Sequence, residues 1–166
     1  MKIRFLLIPL LVALALSGCG QKDSAPAGAA ASAPAPAPTA GPRTVEITAN
    51  DTMKFSVVTI EAKAGERLKV ILTNTGTQPK EVMGHNWILL KAGSDAGAFS
   101  AAATVAKDTN YIPAALKDQI IANIDLLGPR KSGEVVFTVP AAGEYPFLCS
   151  FPAHFAVGMK GTLIVK

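Results

Sequence analysis

The sequence predicts an all-β fold: a Greek-key β-sandwich of antiparallel strands with one short helical flap inserted. Three observations predict it. Short runs of alternating polar and apolar residues begin near Arg43 and recur to the C-terminus. Gly- and Pro-bearing turn signals separate them. The alternation lapses only between about Ala96 and Ile121, where Ala-rich sequence suggests helical turns. About seven or eight short strands with one helical insert point to a sandwich.

Taken in order, Thr44 to Thr48 alternates with the period of a half-buried strand. Lys54 to Ile60 follows as a second run, and Ala64-Gly65 marks a turn into Arg67 to Thr73. Asn74 to Pro79 reads as a loop, and Asn86 to Leu90 as a short strand. Within the flap, Pro113 is placed to start a helical turn over residues 114–120, because proline fits where a helix N–H has no partner. Strands resume at Asn123 to Leu127, Glu134 to Val139, Glu144 to Cys149 and Gly161 to Lys166. Gly128-Pro129, Ser132-Gly133 and Ala142-Gly143 lie between them. A head of residues 43–166 is long enough to bury a workable core without disulfides.

The N-terminus reads differently. Lys2 and Arg4 precede the apolar run Phe5 to Leu16, too short to favour a membrane span and shaped like a signal-peptide core. Leu16-Ser17-Gly18-Cys19 then resembles the lipobox of bacterial lipoproteins. That resemblance makes residues 1–18 a lipoprotein signal peptide and Cys19 the lipidated first residue of the mature chain. Several acyl chains on one residue make a stable anchor. Gly20, and not Asp, follows Cys19, which in that class points to the outer membrane over the inner. Residues 19–42 are mostly Ala, Pro, Gly and Ser. They are expected to form a disordered tether reaching several tens of ångströms, at about 3 Å per extended residue.

Charge excludes one class of partner. The formal +4 falls to +2 once Lys2 and Arg4 are set aside, and no Lys/Arg cluster or aromatic-basic interleaving marks a nucleic-acid surface. Cys19 and Cys149 are the only cysteines. With Cys19 acylated, Cys149 is a lone thiol in an oxidising compartment, which implies intermolecular pairing, a reactive thiol or a metal ligand.

The segment Cys149-Ser150-Phe151-Pro152-Ala153-His154-Phe155-Ala156-Val157-Gly158-Met159 favours the ligand. Thiolate, imidazole and thioether on one loop form a soft-to-borderline donor set suited to copper cycling between Cu(I) and Cu(II). A trigonal His₂Cys site needs one more imidazole. The only other histidine is His85, in Met83-Gly84-His85-Asn86-Trp87, directly before a strand. One type 1 copper per chain, held by His85, Cys149 and His154 with Met159 more weakly, is the expected centre.

Gly-His-Asn-Trp, Cys-Ser-Phe-Pro-Ala-His and Met-Lys-Gly-Thr-Leu occur here in the order found in the azurin/auracyanin branch of the cupredoxins. Asn50 to Phe55 is also similar to the azurin N-terminal region. The tethered form resembles the outer-membrane azurin-like lipoproteins. The resemblance covers Thr44 to Lys166 and implies a cupredoxin fold. It implies that the Gly84 carbonyl is a distant second axial ligand and that Asn86 ties the two ligand segments together near Ser150. It also places Met53 and Met83 at the border of the copper end. Phe155, Ala156 and Val157 form an apolar run around His154 where partners would dock. Trp87 is expected in the core. Two departures stand out. Four residues, Phe155 to Gly158, separate the loop histidine from Met159, where azurins generally have three. The azurin disulfide has no counterpart.

The resemblance implies single-electron transfer with periplasmic proteins such as c-type cytochromes or nitrite reductase, leaving through the His154 ring edge. A filled ligand set leaves no position for substrate, and no paired carboxylates, Ser/His/Asp set or phosphate loop offers other chemistry, so no enzyme is expected. The rival is a periplasmic copper-binding or copper-delivery lipoprotein with no electron-transfer role.

Overall fold

The computed structural model describes residues 41–166. The signal peptide, Cys19 and the tether up to residue 40 lie outside the described residues. Among the described residues, eight strands form two sheets: β1 (Arg43–Ala49), β2 (Thr59–Ala62), β3 (Arg67–Asn74), β4 (His85–Leu90), β5 (Ile120–Leu127), β6 (Ser132–Thr138), β7 (Gly143–Leu148) and β8 (Lys160–Val165). The order is β1-β3-β6 in one sheet and β2-β8-β7-β4-β5 in the other. This is the expected sandwich with one correction. β1 pairs with β3, and β2 with β8, in parallel; the other pairs are antiparallel. Alternation within a run reports burial and carries no information about partner direction.

β3 shows how the pattern makes the core. Leu68, Val70 and Leu72 point inward and are fully buried, while the residues between them are half-exposed. They meet Trp87, Leu89, Phe147 and Leu163 from the facing sheet. β4 departs from alternation, since all six of its residues are buried. Its outer face is covered by the flap: α2 (Ala96–Ala103) and two short 3-10 turns, Lys107–Thr109 and Ala114–Gln119. Ile88, Leu90 and Leu148 pack there against Phe99 and Ile112. β4 therefore lies between two apolar layers, and its side chains are held from both faces.

Other boundaries shift for local reasons. Lys54 to Ile60 is not one strand. Met53 takes a left-handed φ of 56° in a turn closed by its N–H on the Asn50 carbonyl, and only Phe55 bridges to Ala49 before β2 begins at Thr59. β5 starts earlier than its alternation suggests, because the Lys91 N–H reaches the Gln119 carbonyl and brings the chain alongside β4. Pro113 starts a helical turn as expected, a 3-10 turn over Ala114–Gln119. A one-turn helix that the sequence does not signal, α1 (Lys80–Met83), leads into His85.

Candidate metal centre

Strand periodicity assembles the centre. Successive side chains on a strand face opposite sides. On β4, His85, Trp87 and Leu89 face the sandwich interior, while Asn86, Ile88 and Leu90 face the flap. At the end of β7, Phe147 and Cys149 belong to the interior, and Leu148 and Ser150 to the flap side. The same alternation puts the two ligand candidates on one face and the two polar residues beside them on the other.

The polar pair locks the strand ends together. Asn86 Nδ2 donates to Ser150 Oγ at 2.8 Å, and the Ser150 N–H donates to Asn86 Oδ1 at 2.8 Å. Ser150 Oγ donates to the Tyr111 carbonyl at 2.6 Å, and Asn86 Nδ2 also reaches the Asn110 carbonyl at 3.4 Å. Asn110 and Tyr111 both adopt left-handed φ, which turns their carbonyls into this bracket. Sequence reasoning missed these two flap residues, since only their backbone is used and no side-chain pattern signals it.

The third ligand candidate arrives on a loop folded back on itself. The Cys149 N–H donates to the Met159 carbonyl at 3.1 Å, and the Met159 N–H donates to the His154 carbonyl at 2.9 Å. The latter turn runs from His154 to Met159 and accommodates the extra residue between them. Ala153 and Gly158 supply left-handed φ values of 70° and 96°. Phe151 packs against the His154 ring, centroids 4.7 Å apart, and is itself backed edge-on by Tyr111 at 4.9 Å.

His85, Cys149 and His154 thus converge, with one ligand atom from each within 4.8 Å of the others. The His85 and His154 rings are 5.0 Å apart between centroids, and Cys149 Sγ lies 3.4 Å from His154 Nδ1. All three residues are buried, as is Met159. Gly84 is buried directly before His85. A Cβ there would lie 2.6 Å from the Lys80 carbonyl oxygen and 2.9 Å from Leu126 Cγ, so only glycine lets α1 pack this closely. Of the expected docking residues, Ala156 and Val157 are exposed and Met53 and Met83 are half-buried. The Phe155 ring packs partly on the flap cluster, with Lys160 Nζ 4.5 Å above it. Trp87 is fully buried.

Burial keeps both imidazoles neutral, the form that binds a metal, and opposes the Cys149 thiolate until an ion stabilises it. Burial pushes the Cys149 thiol up to about 12, against the pull of the Asn86 and Phe151 backbone N–H groups. Burial, then the neighbouring His85, holds His154 down to about 4. Burial lowers His85 as well; the Asn50 carbonyl, outside hydrogen-bonding geometry, and the Asp51 carboxylate oppose it. Neither His85 ring nitrogen has a hydrogen-bond partner among the described residues. Buried polar atoms are rarely left this way, and a metal bond would satisfy one of them. Thiolate with two imidazoles is the equatorial set that copper takes in blue sites, so the residues fit the ion.

Residues 43–166 match the family of copper binding proteins described as plastocyanin/azurin. The chain belongs to that family. It is 38% identical to azurin of Pseudomonas denitrificans over 131 residues, covering 74% of this chain and 98% of that one. It is 36% identical to auracyanin-A of Chloroflexus aurantiacus over 169 residues, covering 99% and 98%. Its fold superposes on dithionite-reduced auracyanin of Roseiflexus castenholzii with a TM-score of 0.67 at 34% identity, covering 74% and 96%. The fold is that of a cupredoxin, and the centre is a type 1 copper site, one per chain. With its His–Cys–His triad, this plastocyanin/azurin relative is a blue copper electron carrier.

Proposed function

We propose that the chain is a lipid-anchored, periplasm-facing carrier of single electrons, held at the outer membrane and exchanging with proteins such as c-type cytochromes or nitrite reductase. The observation that carries this reading is the buried convergence of His85, Cys149 and His154 with the His85 nitrogens unpartnered. Copper, when bound, supplies a one-electron couple. His85, Cys149 and His154 would hold it, with the Met159 thioether and the Gly84 carbonyl as weaker donors. The Asn86–Ser150 bracket fixes both ligand segments before an ion arrives, so little rearrangement would accompany a change of oxidation state. Burial excludes water from the donors. His154 is the ligand on the loop that also carries exposed Ala156 and Val157, which favours its ring as the way in and out for an electron.

Strand polarity sets where the chain enters the head. Arg43 opens β1, whose other end, Ala49, pairs with Asn74 at the metal end. The chain therefore enters the head opposite the centre.

Adding Cu(II) should produce an intense blue thiolate-to-copper band, and Cys149→Ser should abolish it. The loaded protein should exchange electrons with a c-type cytochrome. A colourless or redox-inert complex would defeat the carrier reading and favour copper delivery. Detergent-phase partitioning that survives Cys19→Ala would defeat the anchor.

A further inference from the structure

The sequence holds no run of basic residues, yet the fold gathers one. Strand directions place the ends of β1, β3, β5 and β7 and the starts of β4, β6 and β8 around the metal centre. On the connections at that end lie Lys54, Lys80, Arg130, Lys131 and Lys160. Lys80 opens α1, two residues before exposed Val82. Arg130 and Lys131 form the turn after Leu127, the residue that pairs with His85. Lys54 donates to the Val157 carbonyl, and Lys160 stacks over Phe155.

None of the five is in an ion pair among the described residues; the ion pairs there are Arg43–Glu66, Lys69–Glu134 and Lys166–Glu61. Two of those pairs lock the opposite end, where β1 starts and β8 finishes. Carboxylates near the metal end are Asp51, bound by Thr77; Glu81; Asp95, which caps α2 beside Phe155; and Asp125 on β5, while Lys107 and Asp108 offset one another on the flap. The five cations without an ion pair surround exposed Val82, Ala156 and Val157.

We infer that this end docks a redox protein whose own centre opens on an apolar surface ringed by Asp and Glu. The inference rests on the carrier reading above. Apolar contact at the middle supplies close approach. The cationic rim steers encounter and sets orientation, effects that weaken as salt rises. A charge field of this kind changes association rates by about tenfold or more at low ionic strength.

The test uses the full-length, copper-loaded chain, reduced to Cu(I), and two small oxidants of opposite charge. Hexacyanoferrate(III) takes one electron, giving Cu(II) protein and hexacyanoferrate(II); tris(phenanthroline)cobalt(III) does the same as a cation. The double substitution R130Q/K131Q touches no copper ligand. It should slow the anionic oxidant about threefold or more at low salt and speed the cationic one, with both differences vanishing at high salt. K63Q/R67Q removes the same charge from the opposite end and should change neither. On the zinc-loaded protein, the paramagnetic anion hexacyanochromate(III) should broaden amide signals at residues 80–84, 128–131 and 154–160.

Equal effects of the two doubles, or broadening centred on the opposite end, would overturn the inference. So would binding to phosphatidylglycerol vesicles that R130Q/K131Q abolishes while leaving both oxidant rates unchanged, which would assign the cations to a membrane surface. A chain that gives electrons to neither oxidant would sink the carrier reading itself, and the hexacyanochromate map would still decide the docking surface.

Discussion

Asn86→Ala removes the bracket between the two ligand segments and nothing that touches the ion. Asn86 and Ser150 are fully buried. The substitution deletes two hydrogen bonds of 2.8 Å and a longer one of 3.4 Å to the flap. Ser150 Oγ keeps its bond to the Tyr111 carbonyl, but the Ser150 N–H is left without its acceptor. Each net bond contributes about 1 kcal/mol, and an orphaned buried donor costs about 1–3 kcal/mol. Together they predict a loss of about 2–4 kcal/mol. For a head of this size that is a fall in Tm of roughly 8–16 °C. Calorimetry on the metal-free protein reads it directly, since copper would itself bridge the segments and hide part of the loss. His85, Cys149 and His154 remain, so the blue band should still form on adding copper. A variant melting within about 2 °C of the parent would refute the claim that this bracket organises the site.

Phe99→Ala should cost about 3–5 kcal/mol in denaturant unfolding, because Phe99 fills the layer between the flap and β4; the blue band should persist. Gly84→Ala should weaken copper retention against a chelator, since its Cβ has no room beside the Lys80 carbonyl and Leu126. The metal-free protein should lose stability as pH falls. His154 is held to about 4 in the folded chain and returns to about 6.5 on unfolding, so the unfolded state binds more protons between those values. The loss is absent above the upper value and complete below the lower one, reaching at most about 3 kcal/mol. Urea midpoints at a series of pH values measure it, and a flat profile would contradict the burial of His154.

The legibility of the chain follows the range of the interactions involved. β3 was readable because alternation is local and one face is buried. The flap was readable as a lapse in alternation, and the Cys-His-Met loop because its donors are close in sequence. The direction of β1 against β3 was not, since it depends on the chain crossing to the other sheet through β2 before it returns. The false strand at Lys54 to Ile60 failed for a local reason: after Met53 turns left-handed, the Ser56 hydroxyl accepts the Thr48 N–H, so a side chain takes a bond that a strand would have used. Asn110 and Tyr111 contribute only carbonyls, and any residues able to hold that backbone shape could do so.

The cationic end is the sharpest case of what sequence order conceals. Lys54, Lys80, Arg130 and Lys160 are separated by about 25 to 50 residues, and each looks like an ordinary solvated charge. Strand polarity alone brings them together, because every connection at the metal end links strand ends that already converge on His85 and Cys149. The geometry that closes the ligand set therefore also decides which loops surround it. Surface charge on those loops can change without disturbing the buried donors, since none of the five cations contacts them through a side-chain hydrogen bond. Partner choice and metal binding are in that sense separable: the first belongs to the loops, and the second to the alternation of β4 and β7.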